Sequence, residues 1–238
     1  MSTVAPEPPP TIDVTAASLQ KLKGRKLPNY IAVEGPIGVG KTTLANKLAQ
    51  TIGYSLLREP AAENPFLDRY YREGKRHALS TQLFFLLHRA QQIADVHSED
   101  LLERNLVADF LIEKDDLFAR LTLDDNEYQL YRQIHESLAI DAPIPDLVIY
   151  LQAPANVLLN RIRQRGIAFE REIGAEYLDS LISSYTEFFH FYNAAPLLVV
   201  NATEIDFANN SEHFDALLEQ LVSMDGIRQY FNPHPTLL

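Results

Sequence analysis

"YIAVEGPIGVGKTTLANKLAQ", residues 30–50, runs from a short apolar, β-prone segment through a glycine-rich turn into an amphipathic stretch. Gly35 to Thr42 fit the pattern Gly-x-x-x-x-Gly-Lys-Thr, and the strand before it and helix after it are the context this spacing requires. Glycines let successive backbone N–H groups curl around a phosphate, and the N-terminus of the following helix adds partial positive charge. Gly35, Pro36, Ile37, Gly38, Val39 and Gly40 therefore form the expected cradle. Lys41 is placed to reach the β- and γ-phosphates, with Thr42 and Thr43 opening the helix. The expected ligand is ATP or another nucleoside triphosphate, and the Thr42 hydroxyl is a candidate ligand for Mg²⁺.

Outward from this stretch, short apolar runs alternate with helical patterns. Strand candidates are residues 30–35, 54–59, 105–109, 146–152 and 196–201, and helix candidates are 41–52, 79–97, 124–139, 154–165, 174–192 and 210–224. Such alternation predicts an α/β fold: a five-stranded parallel sheet with helices on both faces and its ligand beyond the C-terminal strand edges.

The chain has 238 residues, a length suited to one large domain. Its formal charge of −11 argues against a general electrostatic hold on nucleic acid or an anionic membrane, so the expected partner is a small molecule. Without cysteine it has no disulfide, thiolate zinc site or thiol nucleophile. No apolar run is long enough to span a bilayer and no secretory leader is visible, which predicts a cytoplasmic protein. Residues 1–27, which include "STVAPEPPPT", are proline-rich with little to bury and are expected to be disordered or loosely docked, leaving residues 28–238 as the domain.

Two further strand edges carry candidate chemistry. "LLREPAAENPF", residues 56–66, ends the second strand on Arg58-Glu59-Pro60, where Glu59 is either an ordinary loop carboxylate or a general base on the substrate side of the γ-phosphate. "NRIRQRGIAFERE", residues 160–172, gathers Arg161, Arg163, Arg165 and Arg171 in an otherwise acidic chain. This is either a solvated helix face or a lid closing on phosphates, with Arg163 then on the ATP side, since guanidinium groups match the charge of a transferring phosphoryl group. The seven histidines are scattered without metal-ligand spacing, and the acidic "LTLDDNEYQLY", residues 121–131, reads as a helix cap rather than a calcium loop.

Together, "GPIGVGKTT", "REP", "STQLFFLLHRAQ", "DLVIYLQAP" and "NRIRQRG…EYLDSL" resemble the deoxynucleoside kinase family, a neighbour of thymidylate kinase, over roughly residues 29–224. The resemblance implies a three-layer fold of the P-loop NTPase type with an arginine-rich lid. It also implies ATP-dependent, Mg²⁺-assisted transfer to the 5′-hydroxyl of a deoxynucleoside by a homodimer. On this pattern Glu59 is the catalytic base, Gln82 reads the base edge, and Arg89, nearly two helical turns later on the same face, helps to set base choice. Tyr71 and Glu170 match the partners of the sugar 3′-hydroxyl, Phe118 an aromatic on the base, and Arg161 and Arg165 the lid arginines on phosphate.

The chain departs from this pattern after the third strand, in "LVADFLIEKDDLFA", residues 106–119. Family members carry Glu-Arg-Ser or Asp-Arg-Ser there, and an Asp five residues beyond the Arg. A gapless alignment sets Ala108, Asp109 and Phe110 against the triplet and Lys114 against the later acid. A one-residue slip makes Asp109 the magnesium-side carboxylate and leaves Phe110 in place of the arginine. The base pocket is then expected to present two cations, Arg89 and Lys114, unless Glu113, Asp115 or Asp116 restores the acid. Two alternatives remain: a nucleoside monophosphate kinase using Arg58, Arg69 and Arg72 for an extra phosphate, or a catalytically altered nucleotide-binding regulatory protein.

Overall fold

The computed structural model describes residue 22 and residues 24–98 and 105–233, so most of the expectation for residues 1–27 lies outside the described residues. Strands β1 (Tyr30–Glu34), β2 (Ser55–Leu57), β3 (Leu106–Ala108), β4 (Leu147–Gln152), β5 (Leu197–Asn201) and β6 (Arg228–Phe231) form one sheet in the order β2-β3-β1-β4-β5-β6. Every pairing is parallel. The expected five strands are thus six. The additional strand, "RQYF", pairs only with β5 at the sheet edge and is half-exposed, so it lacks the continuous apolar run that marks a buried parallel strand.

Both central strands show that run: β1 is buried at all five positions, and β4 at five of six. Helices α1 (Lys41–Ile52), α2 (Leu67–Glu73), α3 (Ala78–Ser98), α4 (Lys114–Thr122), α5 (Asp125–Leu138), α6 (Ala155–Arg165), α7 (Ala175–Phe191) and α8 (Ser211–Val222) flank the sheet. Leu44 and Leu48 of α1, Tyr185 and Phe189 of α7, and Leu217 and Leu218 of α8 join β1, β4 and β5 in the main core. A smaller cluster around Leu86, Ala119 and Tyr131 binds α3, α4 and α5 together. The acidic segment expected to be a cap is one: Asp124 accepts from the amides of Asn126 and Glu127, and Glu127 reaches back to the Asp124 amide. Helices α2 and α4 were not expected, because "LDRYYRE" and "KDDLFARLT" are too short and polar to show a clear apolar stripe.

Strand β1 sits between β3 and β4, and the chain crosses to β2 and back to β3 before filling the other side. The crevice at this change of direction opens over the C-terminal ends of β1 and β3, where α/β sheets hold their ligands. Gly35 leaves β1 at φ +148°, and a Cβ there would stand 2.4 Å from the Leu151 carbonyl oxygen of β4. Gly38, at φ +82°, would meet Ile162 of α6 at 2.8 Å. Those contacts press the turn onto the sheet and α6. Gly35→Ala is therefore expected to cost about 2 kcal/mol or more in urea denaturation. A midpoint equal to that of the native chain would show that the turn can be built without this approach.

Candidate active site

The turn after β1 and the start of α1 make the floor of a cavity of about 190 Å³. No side chain caps the N-terminus of α1, whose first residues Lys41, Thr42 and Thr43 all line the cavity, as an anion-binding helix end requires. The Lys41 ammonium donates to the carbonyls of Gly35 at 2.7 Å and Pro36 at 3.3 Å. Burial pulls its pKa below the ordinary lysine value, against the Glu34 carboxylate, which favours the charged form.

Asp109 follows β3 and is only 2% exposed. Its Oδ2 accepts from the Thr42 hydroxyl at 2.6 Å, and its Oδ1 from the Glu59 backbone N–H at 2.6 Å. Burial raises this carboxyl above the usual range while those two hydrogen bonds pull it back. One carboxylate thus ties the phosphate turn to the end of β2. Among the described residues no group of three acids or histidines is arranged to hold a metal by itself. Thr42 and Asp109 are instead two adjacent oxygen donors, a set that suits a hard cation whose remaining ligands come from phosphate and water.

Glu59 stands at the end of β2 with both carboxylate oxygens engaged. Arg89 of α3 donates to Oε1, and the Lys114 ammonium lies 3.2 Å from Oε2. Burial alone would raise the Glu59 carboxyl, but the Arg89 guanidinium and then Lys114 outweigh it and hold the group far below the ordinary glutamate value. Arg89 also pairs with Asp115, which is 1% exposed. Lys114 lies 3.4 Å from Glu34. Of the two expectations for the base pocket, these contacts select the one in which a neighbouring acid is restored. Asp115 is the acid that partners Arg89, while Lys114, one residue earlier, serves the carboxylates at the strand edges. Asp116 is used elsewhere, by Arg120 at 2.7 Å and the Tyr128 hydroxyl at 2.5 Å.

Tyr71, Gln82, Arg89, Phe118, Arg165 and Glu170 all line the same cavity. The Gln82 amide donates to Thr122 at 3.2 Å, and Phe118 meets Tyr185 edge-on at 6.0 Å. Tyr71 stacks on Phe169 at 6.2 Å, next to Glu170, whose Oε2 accepts from Arg165 Nε at 3.1 Å and Nη2 at 2.5 Å. The other lid arginines go elsewhere. Arg161 donates to the carbonyls of Val39, Ala202, Thr203 and Ile205, lining a second cleft of about 400 Å³ that also reaches Gly40 and Thr43. Arg163 is exposed and lines neither space. Tyr70, Phe85 and Tyr177 also line the main cavity and were not singled out from sequence, since an aromatic at helical spacing looks like any core residue.

The sequence model for deoxynucleoside kinase matches residues 31–224, a span that includes the phosphate turn, Glu59, Asp109 and the lid segment. The chain belongs to the deoxynucleoside kinase family. It is 37% identical over 194 residues to the deoxyguanosine kinase of Bacillus subtilis, covering 79% of this chain and 93% of that one. Identity to the deoxyadenosine kinase of Lactobacillus acidophilus is 31% over 206 residues, covering 80% and 94%. Among solved structures, a deoxyadenosine kinase from M. mycoides with products dCMP and a flexible dCDP bound superposes with a TM-score of 0.71 at 28% identity, over 82% of this chain and all of that one. The same M. mycoides kinase with bound dATP gives 0.70 at 27% identity, over 81% and 98%.

Glu59, the carboxylate at the edge of this cavity, can be tested directly. Replacement by Gln keeps its shape and removes its basicity, so kcat is expected to fall by about 10² or more while nucleotide binding persists. Loss of binding together with turnover would instead mark Glu59 as a structural residue. Stability carries a second signature. A folded carboxyl held below its unfolded value stabilises the fold above about pH 4.3, and that contribution is lost as the pH falls from there through the folded group's lower range. Glu59→Gln should therefore flatten the acid side of the urea midpoint against pH.

Proposed function

We propose that this kinase transfers the γ-phosphoryl group of ATP, or of another nucleoside triphosphate, to the 5′-hydroxyl of a purine deoxynucleoside, with guanine the preferred base. The observation that carries this reading is the placing of Lys41 and Glu59 in one cavity, a phosphate-binding cation on its floor and a carboxylate at the adjoining strand edge. In the reaction, Glu59 takes the proton of the hydroxyl as its oxygen attacks the γ-phosphorus. Lys41, the α1 N-terminus and Arg165 stabilise the charge that spreads over the phosphoryl oxygens. Mg²⁺ held through Thr42 and Asp109 would add positive charge beside the β- and γ-phosphates. Tyr71 and Glu170 fit the sugar side, and Phe118 the face of the base.

Base choice follows from Arg89. Its Nε is buried without a hydrogen-bond partner, and the guanidinium is held from behind by Asp115. A planar array of donors suits a base edge with two acceptors: guanine offers O6 and N7, whereas adenine offers N7 beside an amino group. The relatives named for deoxyguanosine and deoxyadenosine support a purine. The monophosphate kinase alternative finds no such support, because Arg58, Arg69 and Arg72 line no part of the cavity. Arg58 bonds Asn46, and Arg72 pairs with Asp68.

A homodimer joined through α3 and α5 is consistent with the exposed Leu87 and Leu130 on those helices. No described helix is long and apolar enough to cross a membrane, and we place the enzyme in the cytoplasm. The test is a panel of nucleosides and their monophosphates with MgATP, read by mass spectrometry. Phosphorylation of deoxyguanosine is expected, with kcat/KM about tenfold or more above that for deoxyadenosine. Equal rates, or a preference for deoxyadenosine, would remove the guanine assignment, and absence of any nucleotide product would remove the kinase reading.

A further inference from the structure

Lys114 is 2% exposed, yet its ammonium lines the active-site cavity and reaches two carboxylates from distant parts of the chain. It lies 3.4 Å from Glu34 Oε2 and 3.2 Å from Glu59 Oε2. Glu34 is fully buried and held at three points: Oε1 accepts from the Gly35 amide at 2.8 Å and the Tyr185 hydroxyl at 2.9 Å, and Oε2 from the Leu111 amide at 2.9 Å. Lys114 therefore hangs from a carboxylate that is itself bonded to the first residue of the phosphate turn. Through it, the side chain of Glu59 is referenced to the cradle, just as Asp109 references the Glu59 backbone.

The two cations on Glu59 are not equivalent. Arg89 stands on α3 and lines the cavity together with Gln82, so a base with acceptor atoms placed there competes with Glu59 for that guanidinium. Lys114 stands on α4, not on the helix of Gln82 and Arg89, and is paired on its other side with the fully buried Glu34. We propose that Lys114 is a positioning residue for phosphoryl transfer: it keeps Glu59 Oε2 anchored while substrate draws Arg89 away, leaving Oε1 as the oxygen that meets the acceptor hydroxyl. This rests on the phosphotransfer reading above. In the step itself the hydroxyl proton passes to Glu59 Oε1, the hydroxyl oxygen bonds to the γ-phosphorus, and the bond from that phosphorus to the β-bridging oxygen breaks. The electron pair leaves on the nucleoside diphosphate, and Lys114 takes no part in the proton transfer.

Charge makes the same demand. Glu34, Glu59 and Asp109 crowd one strand edge, and the polyphosphate of the donor adds more negative charge beside them. With a neutral residue at 114, Glu59 would face Glu34 and the phosphates without its fixed counter-ion and would turn away from the cavity.

Steady-state kinetics on Lys114→Gln test this, using whichever nucleoside the native enzyme phosphorylates, with calorimetric ATP binding as the folding control. The expected result is a kcat reduced about 100-fold, as for loss of a preorganised electrostatic group, with KM for the acceptor and Kd for ATP nearly unchanged. Methylammonium added to Lys114→Ala is expected to restore turnover in a concentration-dependent way, which a packing role would not produce. A Lys114→Gln enzyme with native kcat overturns the proposal. Where that variant binds no ATP, the Lys114→Ala enzyme decides, and failure of methylammonium to restore any turnover also overturns it. A native protein that phosphorylates no nucleoside removes the kinase reading, and Lys114 falls with it. An active native enzyme indifferent to residue 114 removes Lys114 alone.

Discussion

Two short hydrogen bonds to one buried carboxylate hold the site together. Asp109 receives the Thr42 hydroxyl on one oxygen and the Glu59 amide on the other. Its own amide donates to the Leu57 carbonyl at 3.1 Å, so the ends of β2 and β3 and the first turn of α1 meet at a single residue. A parallel sheet delivers its strand ends to the same edge but does not fix the loops that leave them. Asp109 does so here, and Lys41 on the floor and Glu59 at the edge share one cavity because of it.

The cost of this arrangement is charge taken out of water. Lys41, Arg89 and Lys114 are gathered with Glu34, Glu59, Asp109 and Asp115, most of them almost wholly buried. Replacing such a network with apolar side chains often leaves a fold no less stable, whereas removing one member strands its partner. The cluster is therefore better understood through chemistry than through stability. Paired ions around a phosphate site are dipoles set in place before the substrate arrives, and they need no reorganisation during transfer. The strongly depressed Glu59 carboxyl fits this picture. Arg89 and Lys114 hold the charged form of that carboxyl in place, and drawing one of them away would restore part of its basicity.

The arginines after β4 divide the work. Arg165 pairs with Glu170 at the mouth of the cavity, where it can exchange a carboxylate for phosphate oxygens. Arg161 instead binds four carbonyls between the phosphate turn and the segment after β5, closing the second cleft from behind. Identical side chains four residues apart on one helix thus take different partners, because the surroundings of each supply different acceptors.

What could be read in the sequence was local. The phosphate turn, its strand and its helix depend on neighbours within a few residues, and the main apolar runs mark the buried strands without reference to any other segment. Glu59 in "REP", Tyr71 on α2 and Gln82 and Arg89 on α3 could be named because they fall, in order, on the pattern of a family that the chain resembles. The sixth strand was not legible, because half-exposed "RQYF" becomes a strand only through β5 beside it. Nor were the parts of Lys114 and Asp115. Successive residues at the start of a helix point about 100° apart. The direction of each therefore depends on how α4 docks against β1, β2 and α3, and that docking set the lysine on Glu34 and Glu59 and the aspartate on Arg89. The sequence determined that this chain binds a nucleotide on a parallel sheet. Only the tertiary structure decided which buried charges face one another there, because that is settled by contacts between segments that the chain order leaves far apart.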